Sequence, residues 1–142
     1  MFVAYAPADS ELREKLYHHV STLRRSGAIR DWSDEEILPG EELANVKREK
    51  LNRADVVLLL ISSDFLGSYG DEMTIALERH RAGKSVVIPI IPRRCHWEST
   101  DLGELKPLPK NGRPVRSWTD IDEAFYSVVQ GIKSIVEARS AG

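Results

Sequence analysis

Apolar residues in this chain follow two rhythms. Short unbroken runs read as strands covered on both faces, and longer stretches with apolar positions three and four apart read as helices. Residues 2–6 (FVAYA) form the first run, which stops at Pro7. Asp9 or Ser10 offers a helix N-cap, after which Leu12, Leu16, Val20 and Leu23 recur at helical spacing until Gly27. Residues 28–32 make a weaker second strand. An acidic loop over 33–42 follows, with the turn pair Pro39-Gly40, and then a polar helix over 41–53. Residues 56–61 (VVLLLI) are the clearest strand; the absence of alternation predicts a central parallel strand. A loop with Gly67 and Gly70 leads to a helix over 71–81, with Asp71 as its candidate N-cap and Gly83 beyond its end. Residues 85–91 form another strand, in which Pro89 removes one ladder donor. The connection 93–114 is polar and broken by Pro107, Pro109, Gly112 and Pro114. Residues 114–118 read as a short edge strand. A last helix over 120–138 carries the stripe Ile121, Phe125, Val128, Ile132 and Ile135. Residues 1–138 are thus expected to form one domain, with 139–142 as a tail or the start of a linker.

Alternating strands and helices predict an α/β fold: a flavodoxin-like, five-stranded parallel sheet of order 2-1-3-4-5 with helices on both faces. On such sheets ligands sit outside the carboxyl ends of the strands, at the switch between strands one and three. The segments leaving the strands place Tyr5, Trp32, Phe65, Tyr69, Trp97 and Trp118 near that edge. Such a rim can stack a planar base or a nicotinamide ring, although each ring alone serves equally well as a core anchor. Glu72 falls in the first turn of the helix after the central strand, where a carboxylate is favoured whatever its role.

Composition narrows the chemistry. With 142 residues, 42% apolar and 30% charged, the chain suits one globular domain. A net charge of −2 gives no footprint for nucleic acid, and the pairs Arg24-Arg25 and Arg93-Arg94 read as solvated charges. One cysteine, Cys95, excludes an internal disulfide and a four-cysteine metal site. No leader pattern and no apolar run of about 20 residues is present, so the expected location is the cytoplasm, without a membrane partner. Glycine-rich phosphate loops are absent, and His18, His19, His80 and His96 are too scattered for a metal site or a hydrolase triad. A phosphoacceptor domain would share the fold, but the sequence offers it only Asp9 after the first strand and Asp64 beyond the end of the central one.

Six segments in order resemble the Toll/interleukin-1 receptor (TIR) family. Phe2-Val3-Ala4-Tyr5-Ala6 with Ala8-Asp9 resembles its first box. Asp31-Trp32-Ser33-Asp34 through Ile37-Leu38-Pro39-Gly40 resembles the second strand and the BB loop. Ala54-Asp55 through Ser62-Ser63-Asp64-Phe65-Leu66 resembles the third strand and its exit. Glu72-Met73 through Ala76-Leu77-Glu78-Arg79 resembles the helix that opens on an acid. Val87-Ile88-Pro89-Ile90 with Cys95-His96-Trp97, and Leu108-Pro109 to Trp118 with Asp122-Glu123-Ala124-Phe125, resemble the remainder of bacterial members.

The resemblance implies NAD+ as substrate, with no resident cofactor or metal, and cleavage of its nicotinamide–ribose bond by a nucleosidase or cyclase. It makes Glu72 the catalytic acid and puts Tyr5, Ala6, Trp32, Asp34, Leu38 and Tyr69 against the substrate. It implies self-association through the BB loop, residues 34–40, which completes a neighbour's site. It also implies an effector role in bacterial anti-phage immunity, beside a fused or partner sensor for a nucleotide second messenger. Members that only assemble give the alternative, a non-enzymatic scaffold. Two departures stand out. Ala4 and Ala6 replace serines common around Tyr5, and the short stretch before Glu72 lacks the usual cysteine, leaving Tyr69 as the stacking ring.

Overall fold

In the computed structural model, which describes residues 1–27 and 43–141, strand β2 (Val56–Leu60) lies between β1 (Phe2–Ala4) and β3 (Val86–Ile90). Both pairings are parallel, with Phe2 opposite Val57 and Val56 opposite Val86. Parallel neighbours need crossovers, and helices supply them: α1 (Ser10–Arg25) and α2 (Leu43–Arg53) lie between β1 and β2, and α3 (Ser63–Ser68) and α4 (Gly70–Arg81) between β2 and β3, while α5 (Ile121–Ala141) follows the last described strand. All five residues of β2 are buried, as its unalternating run requires. Val56, Leu58 and Leu60 pack with Leu12, Leu16 and Val20 of α1 and Phe125, Val128 and Ile132 of α5. Val57, Leu59 and Ile61 face the other way, onto Leu51 of α2, Phe65 of α3 and Ala76 and Leu77 of α4. One strand therefore divides two apolar clusters, and each leucine so buried contributes roughly 1.5–3 kcal/mol.

The described residues correct the expected architecture in three places. They hold three strands rather than five; the second strand expected at 28–32 lies outside them. The fifth, expected at 114–118, is instead a 3₁₀ turn at Val115–Ser117. Arg113 draws this segment into a turn by donating to the Ser117 carbonyl at 2.9 Å, and the Trp118 N–H returns to the Val115 carbonyl. The segment still borders the sheet, since the N–H groups of Val115 and Arg116 reach the carbonyls of Ile91 and Pro92. The loop expected around Gly67 is largely helix α3, because Ser62 caps it by accepting the Phe65 N–H and Phe65 is wholly buried. Helix α5 also runs to Ala141, through most of the expected tail.

The connection after β3 is built of 3₁₀ turns, the first at Asp101–Glu104. Within it Gly103 lies so close to the Glu98 carbonyl that an added Cβ would sit 2.2 Å from its oxygen. Backbone cannot step aside as a side-chain tip can. Gly103→Ala is therefore expected to lower stability by about 1–3 kcal/mol. A urea midpoint equal to that of the parent would contradict this packing.

Candidate functional site

Three chain segments leave the sheet at its carboxyl edge, and one arginine ties them together. After β1, the 3₁₀ turn Pro7–Asp9 carries Asp9 inward to 1% exposure. After β2, Ser62 is fully buried and its hydroxyl donates to Asp9 Oδ2. After β3, Arg93 Nε donates to Asp9 Oδ1 at 2.8 Å and a terminal nitrogen donates to Asp64 Oδ2 at 2.8 Å. A buried carboxylate needs such charge-assisted partners. In return Asp9, then Asp64, raises the Arg93 guanidinium above its ordinary range, so it stays ionised. The sequence reading of Arg93 as a solvated charge is thereby corrected: Arg94 is exposed, whereas Arg93 is drawn down onto Asp9. Asp9 stands at the N-cap position of α1 without capping it, because its oxygens are spent on Ser62 and Arg93. That commitment also removes support for Asp9 as half of a phosphoacceptor pair.

Ser62 links this network to the acid singled out by sequence. It caps α3, whose buried Phe65 stacks on Tyr69 with centroids 5.6 Å apart and planes 10° from parallel. Tyr69 closes α3 by donating its N–H to the Phe65 carbonyl, and its own carbonyl accepts the Met73 N–H of α4. Tyr69, rather than Asp71, therefore occupies the N-cap position of α4; Asp71 and Glu72 are both in the first turn. Glu72 is half-buried and Asp71 exposed. Both carboxylates meet the positive end of the helix.

Two of the remaining sequence candidates, just past the end of β1, separate by the alternation of an extended chain. Ala6 is buried in the cluster that holds Phe65 and is bordered by Tyr69 and Met73, on the α4 side of the sheet. Tyr5 packs against the opposite cluster, with the Arg13 guanidinium 5.5 Å from its ring centroid. Trp32, Asp34 and Leu38, with the whole loop 34–40, lie outside the described residues.

Beyond β3 the chain walls a cleft of about 510 Å³, whose lining includes Ser63, Ile91, Arg94, Cys95, Trp97 and Glu98. Glu72 does not line it. Trp97 stands against Gly112, where an added Cβ would come within 3.3 Å of the indole. The Cys95 thiol donates to the Ile61 carbonyl at 3.5 Å, and burial, then the Glu98 charge, pushes its pKa up. A raised pKa keeps the sulfur protonated and poorly nucleophilic. Iodoacetamide at pH 8 should thus alkylate Cys95 more slowly in the folded protein than in urea, with the folded rate profile displaced to higher pH. Equal rates and midpoints would contradict that environment. Among the described residues no three His, Cys, Asp or Glu side chains gather to hold a metal, and no helix is long and apolar enough to cross a membrane.

Sequence reasoning missed Arg93 and Ser62. Ser62 carried a signal, a capping hydroxyl three residues before an aromatic anchor. Arg93 carried none, since its partner Asp9 is 84 residues away.

The profile of the TIR domain family matches residues 1–125. The chain is 40% identical over 136 residues to the uncharacterized protein y4lF of Sinorhizobium fredii (strain NBRC 101917 / NGR234). That alignment covers 94% of this chain and 42% of the relative, so the chain spans about two-fifths of the relative's length. No solved structure matches. A parallel sheet with helices on both faces and a profile match over most of the chain lead to one conclusion: the protein belongs to the TIR domain family.

Proposed function

We propose that this TIR domain cleaves the nicotinamide–ribose bond of NAD+, with Glu72 as the key acid. The observation that carries this reading is the placement of a half-buried carboxylate in the first turn of α4, three residues after the stacked Tyr69. In the reaction the C1′–N bond breaks and its electron pair leaves with neutral nicotinamide. A water oxygen then bonds to C1′ and releases a proton. The ribose passes through an oxocarbenium-like state, which a carboxylate stabilises by charge and by hydrogen bonds to the sugar hydroxyls. Because nicotinamide departs uncharged, the site needs no strong general acid. Tyr69 is the ring assigned to stack on the substrate, and the small side chain of the buried Ala6, in the cluster that Tyr69 borders, leaves room for it.

The loop 34–40, with Asp34 and Leu38, and Trp32 before it, is assigned to the substrate and to contact with a second copy, which completes the pocket. The role proposed is that of an effector in bacterial anti-phage immunity, gated by assembly. The extra length of the relative leaves room for a sensor of a nucleotide second messenger. The test is nicotinamide release measured against protein concentration. Release per mole is expected to rise with concentration, since two copies build each site. Silence at millimolar protein, with assembly visible by light scattering, would favour a non-enzymatic scaffold instead.

A further inference from the structure

We infer that the cleft beyond β3 is a binding site for a nucleoside monophosphate, with the base against Trp97 and the phosphate on Arg94. Its place is the carboxyl edge of the parallel sheet, opened by Ser63, three residues past the end of β2, and by Ile91, directly after β3. At about 510 Å³ it falls within the range of roughly 300–1,000 Å³ usual for small-molecule sites.

The lining divides by chemistry. The Trp97 indole stands against Gly112 and borders the apolar cluster around Ile91 and Leu102, so a flat apolar wall is already in place. Two neighbouring arginines differ in what remains to them. Arg93 is spent on Asp9 and Asp64, whereas Arg94 makes no ion pair among the described residues and lines the cleft. A permanently charged guanidinium suits a phosphate, which it can grip with two parallel hydrogen bonds. Glu98 also lines the cleft, and its carboxylate is an acceptor suited to the exocyclic amine of a base. Cys95 takes no covalent part, because its thiol is held protonated and donates to Ile61. An anion on a flat amino-bearing ring answers all three features. A bare phosphate would leave Trp97 idle, and a bare nucleoside would leave Arg94 idle. The inference does not depend on NAD+ cleavage, because Glu72 is not part of this lining.

Calorimetric titration of the purified domain with AMP, adenosine and inorganic phosphate tests it. AMP is expected to bind, with adenosine and phosphate each weaker by about tenfold or more, and with affinity falling as salt rises. Arg94→Ala, on an exposed side chain, should weaken AMP by about tenfold. Trp97→Leu should weaken it similarly, while Trp97→Phe retains most of the affinity. Absence of AMP binding at millimolar ligand and low salt overturns the proposal. So does AMP binding that Arg94→Ala leaves unchanged, which remains decisive if Trp97→Leu fails to fold.

Discussion

Glu72→Ala is expected to cut nicotinamide release by roughly 10²–10³-fold or more while leaving the protein folded. The magnitude is that of removing one preorganised charge from a developing transition state. The structural cost should be small. Glu72 is half-buried in a first helical turn, where a carboxylate contributes roughly 0.3–1 kcal/mol through the helix dipole. Thermal unfolding should therefore shift by only a few degrees. Glu72→Gln separates charge from shape: if charge stabilises the ribose, glutamine is nearly as damaging as alanine. Asp71→Ala is the control, because Asp71 shares the turn but is exposed. Full activity in Glu72→Ala, at a concentration where the parent is active, would remove this residue from the mechanism.

The second large effect concerns stability. Arg93→Ala should destabilise the fold by about 3–5 kcal/mol, the cost of leaving a buried carboxylate without its counter-ion. Among the described residues, Asp9 would keep only the Ser62 hydroxyl in a position 1% exposed. The Asp64 half of the clamp adds little, since Asp64 is exposed and such pairs are worth about 0–1 kcal/mol. Asp9→Asn alone should cost less than Arg93→Ala, because it removes the charge that Arg93 serves. The two changes together should be milder than their sum, a coupling that a double-mutant cycle in urea measures directly. An Arg93→Ala cost under about 0.5 kcal/mol would mean that the pair behaves as an ordinary surface bridge.

Much of this architecture was legible because burial writes itself into residue order. The unalternating run that became β2 announced a strand covered twice, and the stripes of α1 and α5 announced their inward faces. The position of Glu72 could also be read, since a helix had to begin between Gly70 and Met73. What could not be read depended on partners distant in sequence or on very short elements. Helix α3 is six residues long and contains Gly67, so it has too few turns to show a period; its cap and one buried ring hold it. Residues 114–118 have the composition of an edge strand, and only the Arg113 to Ser117 contacts turn them into a 3₁₀ segment. The pair Arg93-Arg94 looks uniform as text, yet one member is spent on carboxylates after β1 and β2 while the other faces a cleft. Tyr5 and Ala6 are adjacent in sequence and part company for the opposite reason, because the chain stays extended just past β1 and successive residues face different sides.

The register of the sheet also bears on how the molecule comes into being. Phe2 meets Val57 and Val56 meets Val86, so none of these ladders can begin as a hairpin. Helices can form early from neighbours, but the sheet must wait for chain ends to find one another across long intervening stretches, which slows assembly. Asp9 surrenders its water only when the segments after all three strands have converged. The junction at the carboxyl edge of the sheet is thus expected to be among the last features to form during folding, and a half-assembled chain would lack it.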